Sequence, residues 1–335
     1  MTDEEYLQAF REELIAEFSP VWLACMRSIK KKSYLTENTT TLDESFSKYV
    51  ESINSLIDQS FLEGLVHAAR EPLESFYPIL QDVTVGLSWT DDINACVFSM
   101  KDQAKGIILN NLPFLLMPAL FRLTTEYFSS ANDNCEPQPG EDSFHKAFLD
   151  TSAFSAKTLS ENVSPETSQL TRVFGLQPSL SDRTCALIVA QYILLHEFGH
   201  IVLGHIGDAS SGRITLRMSP SGNPVETFCY AQEQELAADK FAAEKLKVMY
   251  ATRAAKLEKQ RDRDLLMCGI HTSICIFFGS LKARSFQASE PRNLESTHPD
   301  AWYRWKEFNE QWKEYENSLT LLLSESLERL FFPGE

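Results

Sequence analysis

The chain has 335 residues, of which 43% are hydrophobic and 23% charged, a composition that excludes an intrinsically disordered chain and allows a large folded core. Its formal net charge of −16 argues against a nucleic-acid-binding protein, because such binding depends on clustered Lys and Arg. The 7 cysteines are scattered without a Cys-x-x-Cys pair, and the acidic N-terminus lacks the pattern of a targeting segment, so a cytoplasmic protein is expected.

Residues 1–128 are predicted to contain an N-terminal helical segment and a small sheet. Apolar residues recur at helical spacing over residues 3–80. From Val83 onwards the segments VTVGLSW, NACVFSM and KGIILNN favour short strands, and we expect them to form a small antiparallel sheet. Residues 129–170 are rich in Ser, Asn, Pro and acids, which predicts a polar loop or linker before a core at residues 171–335.

The second half of the chain is predicted to be mainly helical. Ser179 or Ser181 is placed to cap a helix that reads DRTCALIVAQYILLHEFGHIVLGH. This helix is apolar nearly all round, which predicts a central, buried position. Two further helices are expected at 225–259 and 264–282, and a last one begins at Pro299, since proline suits the first helical position. The expected fold class is α+β, mainly α.

Three apolar stretches resemble membrane spans at first sight: 107–121, 186–195 and 265–281. Each is shorter than the roughly 20 apolar residues that a bilayer requires. They are better interpreted as buried core elements, and no stable membrane insertion is expected.

The segment His196-Glu197-Phe198-Gly199-His200 is an H-E-x-x-H motif on the predicted buried helix. Histidines four residues apart share one helical face, so both imidazoles can reach one tetrahedral ion. Glu197 lies between them and is a candidate general base for a water that the metal activates. The alternative interpretation is a pair of core histidines satisfied by hydrogen bonds.

A third protein ligand is needed, and His205 and Glu235 are the candidates. His205 and its preceding glycine are out of register by one residue with the metzincin pattern, so His205 is expected to be a helix-end or second-shell group. In the segment Glu235-Leu236-Ala237-Ala238-Asp239 the two carboxylates lie four apart on one helical face. Glu235 can then bind the metal while Asp239 accepts a hydrogen bond from a ligand histidine. Small alanines on this helix favour close packing against the H-E-x-x-H helix.

Three motifs in order resemble the M48 gluzincin metallopeptidases: HEFGH, then ELAAD, then Thr297-His298-Pro299 with Arg304 five residues after the proline. The likeness covers about residues 180–305. It implies a zincin-like peptidase core with one zinc ion per chain and endopeptidase activity. It also implies a role near the metal for His298, as a reversible ligand or an oxyanion partner; the alternative is that His298 caps the next helix. Arg304 would be a salt-bridge partner near the ligand helix or the wall of the site.

The transmembrane helices of many M48 enzymes have no counterpart here. The HEFGH segment is also similar to that of bacterial phage-exclusion peptidases, cytosolic H-E-x-x-H enzymes that cleave one host protein.

Two function hypotheses follow. The first is a hydrolase, a zinc endopeptidase acting on an intracellular protein or peptide substrate, with the connection at 206–226 and the segment 129–170 as candidate lids. The second is a catalytically silent zincin-fold protein that binds a regulatory partner through its N-terminal helices. Glu197 favours the enzyme, because a silent scaffold has no need of a base beside the ligands.

Overall fold

The structure is a computed structural model. The residues that it describes are 59–88, 95–99, 105–110, 112–130, 141–152, 179–206, 212–218, 224–287, 299–313 and 318–332. The helices predicted before residue 59 lie outside the described residues.

Eight α-helices, one short 3-10 helix and five strands make up this part of the chain. The helices are α1 (Gln59–Glu74), α2 (Leu112–Ser130), α3 (Glu141–Ser152), α4 (Leu180–Val202), α5 (Gln232–Ala254), α6 (Gln260–Gln287), α7 (Ala301–Trp312) and α8 (Ser318–Phe331), with the 3-10 helix at Pro78–Leu80. The strands are β1 (Thr84–Ser88), β2 (Ala95–Ser99), β3 (Lys105–Asn110), β4 (Gly212–Met218) and β5 (Pro224–Cys229). The expected fold class, mainly helical with a small sheet, is confirmed.

The strands form one mixed sheet in the order β1-β3-β2-β5-β4. All neighbouring strands are antiparallel except β1 and β3, which pair in parallel from Thr84 opposite Gly106 to Ser88 opposite Asn110. The three strands expected after Val83 are therefore present, with one parallel pair among them. The hairpin of β4 and β5 adds strands from the second half of the chain to the same sheet.

Helix α4 lies at the centre of the protein. Almost every residue from Cys185 to Ile201 is buried, and the helix packs against α5, α2, α6, α1 and strands β2 and β3. Ser179 caps it, as expected, in a reciprocal capping box: Asp182 N–H donates to Ser179 Oγ at 3.2 Å, and Ser179 N–H donates to Asp182 Oδ2 at 2.7 Å. The same Asp182 oxygen accepts from Arg122 of α2 at 2.7 Å, so the cap also fixes α4 against its neighbour.

Helices α4 and α5 approach each other closely at Gly199. A methyl group added there would lie 3.2 Å from Ala238 Cα and 3.3 Å from Ala238 O. The small residues expected to permit close packing are thus used at this contact. The distance between the two helices is set by backbone atoms, which cannot move aside as a flexible side chain can.

Several boundaries differ from those predicted. The segment expected as a helix from residue 225 begins instead as strand β5, and α5 runs from Gln232 to Ala254. The connection at 206–226 contains strand β4, whose alternating sequence GRITLRM suits a half-buried strand. Within 129–170, Glu141–Ser152 is a helix rather than a loop, because Phe144 and Phe148 pack into the core. The division of the chain into domains at 129–170 stays a prediction.

The start of α7 also differs from the prediction. Pro299 precedes the helix, and the N-cap is Asp300, whose side chain accepts from Trp302 N–H at 2.8 Å. Asp300 therefore caps α7, and His298, which was the candidate cap from sequence, lies outside the described residues.

Two of the described helices are long and apolar enough, by length and composition, to cross a membrane: α4 and residues Gln260–Arg284 of α6. In the structure 89% of the apolar window of α4 and 72% of that of α6 are buried inside the protein. The core helix of a soluble protein passes the same test, so these two helices are weak evidence for a membrane span.

The close contact at Gly199 leads to a prediction for two glycine variants. Replacing a helix-interior glycine by alanine stabilises a helix by about 0.5–1 kcal/mol when nothing opposes the new methyl group. Gly269 in α6 has no atom within 4 Å of an added methyl group, so Gly269→Ala is expected to gain that amount. Gly199→Ala is expected to be less stable than Gly269→Ala by about 1–3 kcal/mol, because α5 must shift. Urea unfolding of both variants measures this difference, and equal free energies of unfolding would contradict it.

Candidate metal centre

The two histidines of the motif point to one place. They lie one turn apart on α4 and are both buried, and their Nε2 atoms are 3.0 Å apart. Their rings meet edge to face, with centroids 4.7 Å apart. This arrangement follows from the i, i+4 spacing on a straight, buried helix.

Glu235 brings a carboxylate to the same place from α5. Its Oε2 lies 3.3 Å from His196 Nε2, and its Oε1 lies 3.7 Å from His200 Nε2. Glu235 is in the first turn of α5, just across the Gly199 contact from α4. One donor atom from each of the three residues lies within 4.8 Å of the others, and all three side chains are buried, an arrangement compatible with a metal ion.

Glu197 occupies the position between the two histidines on α4 and is buried, with 4% of its surface exposed. Because Glu197 is buried, its carboxylate is shielded from bulk water. It lies on the same helix as His196 and His200, two of the candidate ligands. Its role as a proton acceptor stays a prediction from the motif.

Asp239 is the hydrogen-bonding hub of the site. Its Oδ1 accepts from Tyr192 OH at 3.0 Å and lies 2.9 Å from His196 Nδ1. Arg304 of α7 donates from Nε to Oδ2 at 2.6 Å and from a terminal nitrogen to Oδ1 at 2.8 Å. The structure therefore brings Asp239 to Nδ1 of His196 and makes Arg304 its bidentate partner, while the role of Asp239 beside a metal ligand stays a prediction.

This pairing dominates the electrostatics of the site. Burial by itself raises the pKa of Asp239, but the charges of Arg304 and His196 outweigh burial and hold that pKa well below its usual range. Burial by itself lowers the pKa of Arg304. The charge and hydrogen bonds of Asp239 outweigh burial, so the pKa is raised above its usual value and the guanidinium stays charged. Both groups are therefore ionised at neutral pH.

The two histidines differ in charge. Burial lowers the pKa of His196, but the charge and hydrogen bond of Asp239, together with Glu235, bring it to about 10. Burial and the positive charge of His196 lower the pKa of His200 to about 2. His196 therefore carries an additional proton at neutral pH, and its Nε2 lies 3.0 Å from His200 Nε2 and 3.3 Å from Glu235 Oε2. A metal ligand must be a neutral ring, so metal uptake displaces this proton.

His205 lies behind His200. The Nδ1 atoms of the two rings are 3.0 Å apart, so a proton on one of these nitrogens joins the two rings. With that proton on His200, its Nε2 keeps a lone pair beside His196 and Glu235. His205 is brought there by the end of α4, where Gly204 adopts a positive φ of 73° and His205 N–H donates to His200 O at 3.0 Å. His205 thus lies at the end of α4 and contacts the ring of His200; its role at a metal site stays a prediction.

Two residues of the site were missed from sequence. Tyr192 precedes His196 by one helical turn and reaches Asp239, a spacing that could have been noticed. Tyr230 follows strand β5 and stacks on His200, with ring centroids 3.6 Å apart and planes 12° apart. No spacing rule links Tyr230 to the motif, because the contact depends on how β5 enters the site. His298 lies outside the described residues, and its role stays a prediction.

The Arg304–Asp239 pair leads to a stability prediction. Removing one partner of a buried ion pair leaves an uncompensated charge, which costs about 3–5 kcal/mol. Arg304→Gln is therefore expected to lower the free energy of unfolding by this amount in the presence of excess chelator.

Lys313→Gln is the matched control, because Lys313 pairs with Glu310 and the two side chains are 55% and 63% exposed. Its expected cost is at most about 1 kcal/mol. Similar losses in the two variants, measured by urea unfolding, would contradict a dominant role for the buried pair.

The comparisons with known proteins agree with a peptidase. A family model described as Peptidase U49 matches residues 182–323. The matched segment contains all three residues of the cluster, together with Glu197, Asp239 and Arg304. No curated protein and no solved structure matches the chain. The resemblance to M48 stays a prediction, and what the match supports for this chain is a proteolytic function acting on protein.

Proposed function

We propose that the chain is a zinc-dependent endopeptidase that hydrolyses peptide bonds of an intracellular protein. The observation that carries the proposal is the buried convergence of His196, His200 and Glu235 on one point. The match of residues 182–323 to a peptidase family supports the reaction class.

The donor set suits zinc. Ligand atoms at about 2.0–2.2 Å from a tetrahedral ion lie about 3.3–3.6 Å from one another. Here the two imidazole nitrogens are 3.0 Å apart, His196 Nε2 lies 3.3 Å from Glu235 Oε2, and His200 Nε2 lies 3.7 Å from the other oxygen, Oε1, so the separations are of similar size. Two imidazole nitrogens and one carboxylate are also a poor set for calcium or magnesium, which prefer oxygen ligands. Three protein ligands leave the fourth position for water and substrate, as in catalytic zinc sites.

A zinc ion bound by His196, His200 and Glu235 would act as a Lewis acid: it would polarise the scissile carbonyl and lower the pKa of the water bound to it toward about 7. Glu197 then accepts the proton of the attacking water on its carboxylate and passes it to the leaving amine. Asp239 and His205 hold the two imidazoles with Nε2 toward Glu235, so the ligands are oriented before substrate arrives. The apolar helix α4 excludes bulk water from these groups, which strengthens every charge interaction among them.

The finer features of the proposal follow from the sequence. The third ligand is a glutamate, which makes the enzyme a gluzincin, and the three motifs resemble M48. The peptidase core is assigned to residues 171–335, with a cytoplasmic location. His298 is retained as a second catalytic candidate, near the metal as a switch or an oxyanion partner, and the N-terminal helices as a place for a regulatory partner.

Metal content distinguishes Glu235 from His205. Glu235→Ala removes a ligand and is expected to lose zinc to a competing chelator far more readily than His205→Ala. The His205→Ala variant loses only a hydrogen-bond partner of a ligand, so its zinc affinity is expected to fall by about 10- to 100-fold. The wild-type chain should hold about one zinc per chain. The reverse ranking would make His205 the third ligand, and wild type without zinc would end the proposal.

Activity distinguishes the enzyme from a silent scaffold. Glu197→Gln is expected to keep the zinc and to lower peptide-bond cleavage by at least about 100-fold, because it cannot accept a proton. Glu233→Gln is the matched control, since this carboxylate is exposed at the start of α5. Labelling of new protein N-termini in cells that produce each variant measures the loss and identifies the substrate.

A Glu197→Gln variant as active as wild type would contradict the assignment of the base. Zinc-loaded wild type that creates no new N-termini would favour the binding protein without turnover.

A further inference from the structure

The ring of Tyr230 lies flat against the ring of His200. Their centroids are 3.6 Å apart and their planes differ by 12°, so the two faces are in full contact. Imidazole can turn about its Cβ–Cγ bond only by driving one edge into the facing phenol ring. The stack therefore opposes rotation of His200 out of its plane.

His205 restrains the same ring within its plane. The 3.0 Å contact between the Nδ1 atoms of His200 and His205 fixes the direction of Nε2. The rings of His205 and Tyr230 are 6.2 Å apart, so the two restraints lie on different sides of His200. Gly204 holds His205 in this position through its left-handed backbone, which a residue with a side chain adopts only with strain.

The other histidine is held differently. His196 faces the carboxylate of Asp239 at 2.9 Å, and Arg304 and Tyr192 fix that carboxylate in turn. A charged partner both orients a ligand histidine and makes it more basic. His200 has no carboxylate at its Nδ1: that nitrogen faces His205, the ring face lies on Tyr230, and the carboxylate of Glu235 is 3.7 Å from Nε2. Packing against other rings therefore contributes most of its orientation.

We propose that Tyr230 is a positioning residue for His200, which holds the imidazole face-on so that Nε2 points at the metal. Tyr230 is suited to this because it is 7% exposed and joins strand β5 to helix α5. The strand and the helix that carries Glu235 therefore set its place together. The inference rests on the proposed metal site and adds a residue outside both motifs.

The test compares Tyr230→Leu with Tyr230→Phe. Leucine removes the flat face, and zinc affinity, measured by competition with a chromophoric chelator, is expected to fall about 10- to 100-fold. Phenylalanine keeps the face and is expected to recover most of that affinity. With cobalt in place of zinc, the visible spectrum should change in Tyr230→Leu and resemble wild type in Tyr230→Phe, because the spectrum reports ligand geometry.

Tyr250→Leu is the matched control. Tyr250 is also buried, lies on α5 and donates from its hydroxyl to Gln191 Oε1 at 2.7 Å. Its loss is expected to lower stability without changing zinc affinity or the cobalt spectrum. A purely structural role for Tyr230 would move the two leucine variants alike, which would overturn the inference.

Three further outcomes would also overturn it. Tyr230→Leu that binds zinc as tightly as wild type removes the inference and leaves the proposed function in place. Tyr230→Phe that binds as weakly as Tyr230→Leu assigns the effect to the hydroxyl instead of the ring face. Wild type that binds no zinc removes both the inference and the proposed function.

The stack is also testable without a folded Tyr230 variant. A ring that lies on the face of a phenol has its carbon-bound protons shifted upfield in the NMR spectrum. The His200 ring protons of the wild-type chain, assigned by their loss in His200→Gln, are expected to show this shift. Protons at the position of an exposed histidine would overturn the proposal.

Discussion

The site depends on one carboxylate, Asp239, which ties three helices together. It stands on α5, bonds His196 and Tyr192 of α4, and accepts two hydrogen bonds from Arg304 of α7. A charge this deeply buried is tolerated only with a partner of opposite sign and filled hydrogen-bonding positions. The contacts of Asp239 therefore fix the positions of α4, α5 and α7 relative to one another at the site, while Gly199 sets how closely α4 and α5 approach.

The rings of His196 and His200 are held in place by different kinds of contact. An ionic relay orients His196, and its strength comes from low-dielectric surroundings. Stacking on Tyr230 and a contact with the ring of His205 orient His200, whose Nδ1 faces an imidazole nitrogen instead of a carboxylate. A site with a carboxylate at both rings would bury one more negative charge. The packing device gives direction without that cost.

Much of the site could be predicted from sequence because it is built on helical spacing. The i, i+4 rule places His196 with His200, and it places Glu235 with Asp239 on a second helix. Tyr230 could not be found this way, since its contact depends on the path of strand β5. The sequence predicts a helix from residue 225 because PVETFC is short and runs into a strongly helical segment. Tertiary pairing with β2 and β4 overrides that local preference.

The charges around the two histidines make the cluster compatible with a divalent ion. Glu235 and Asp239 bring two carboxylates to His196, and Arg304 offsets Asp239 through its bidentate contact. Buried carboxylates need groups of opposite charge nearby. An ion held by His196, His200 and Glu235 would place positive charge where the two helices bring these groups together, so the apolar length of α4 and the polar cluster near its end are compatible in one buried helix.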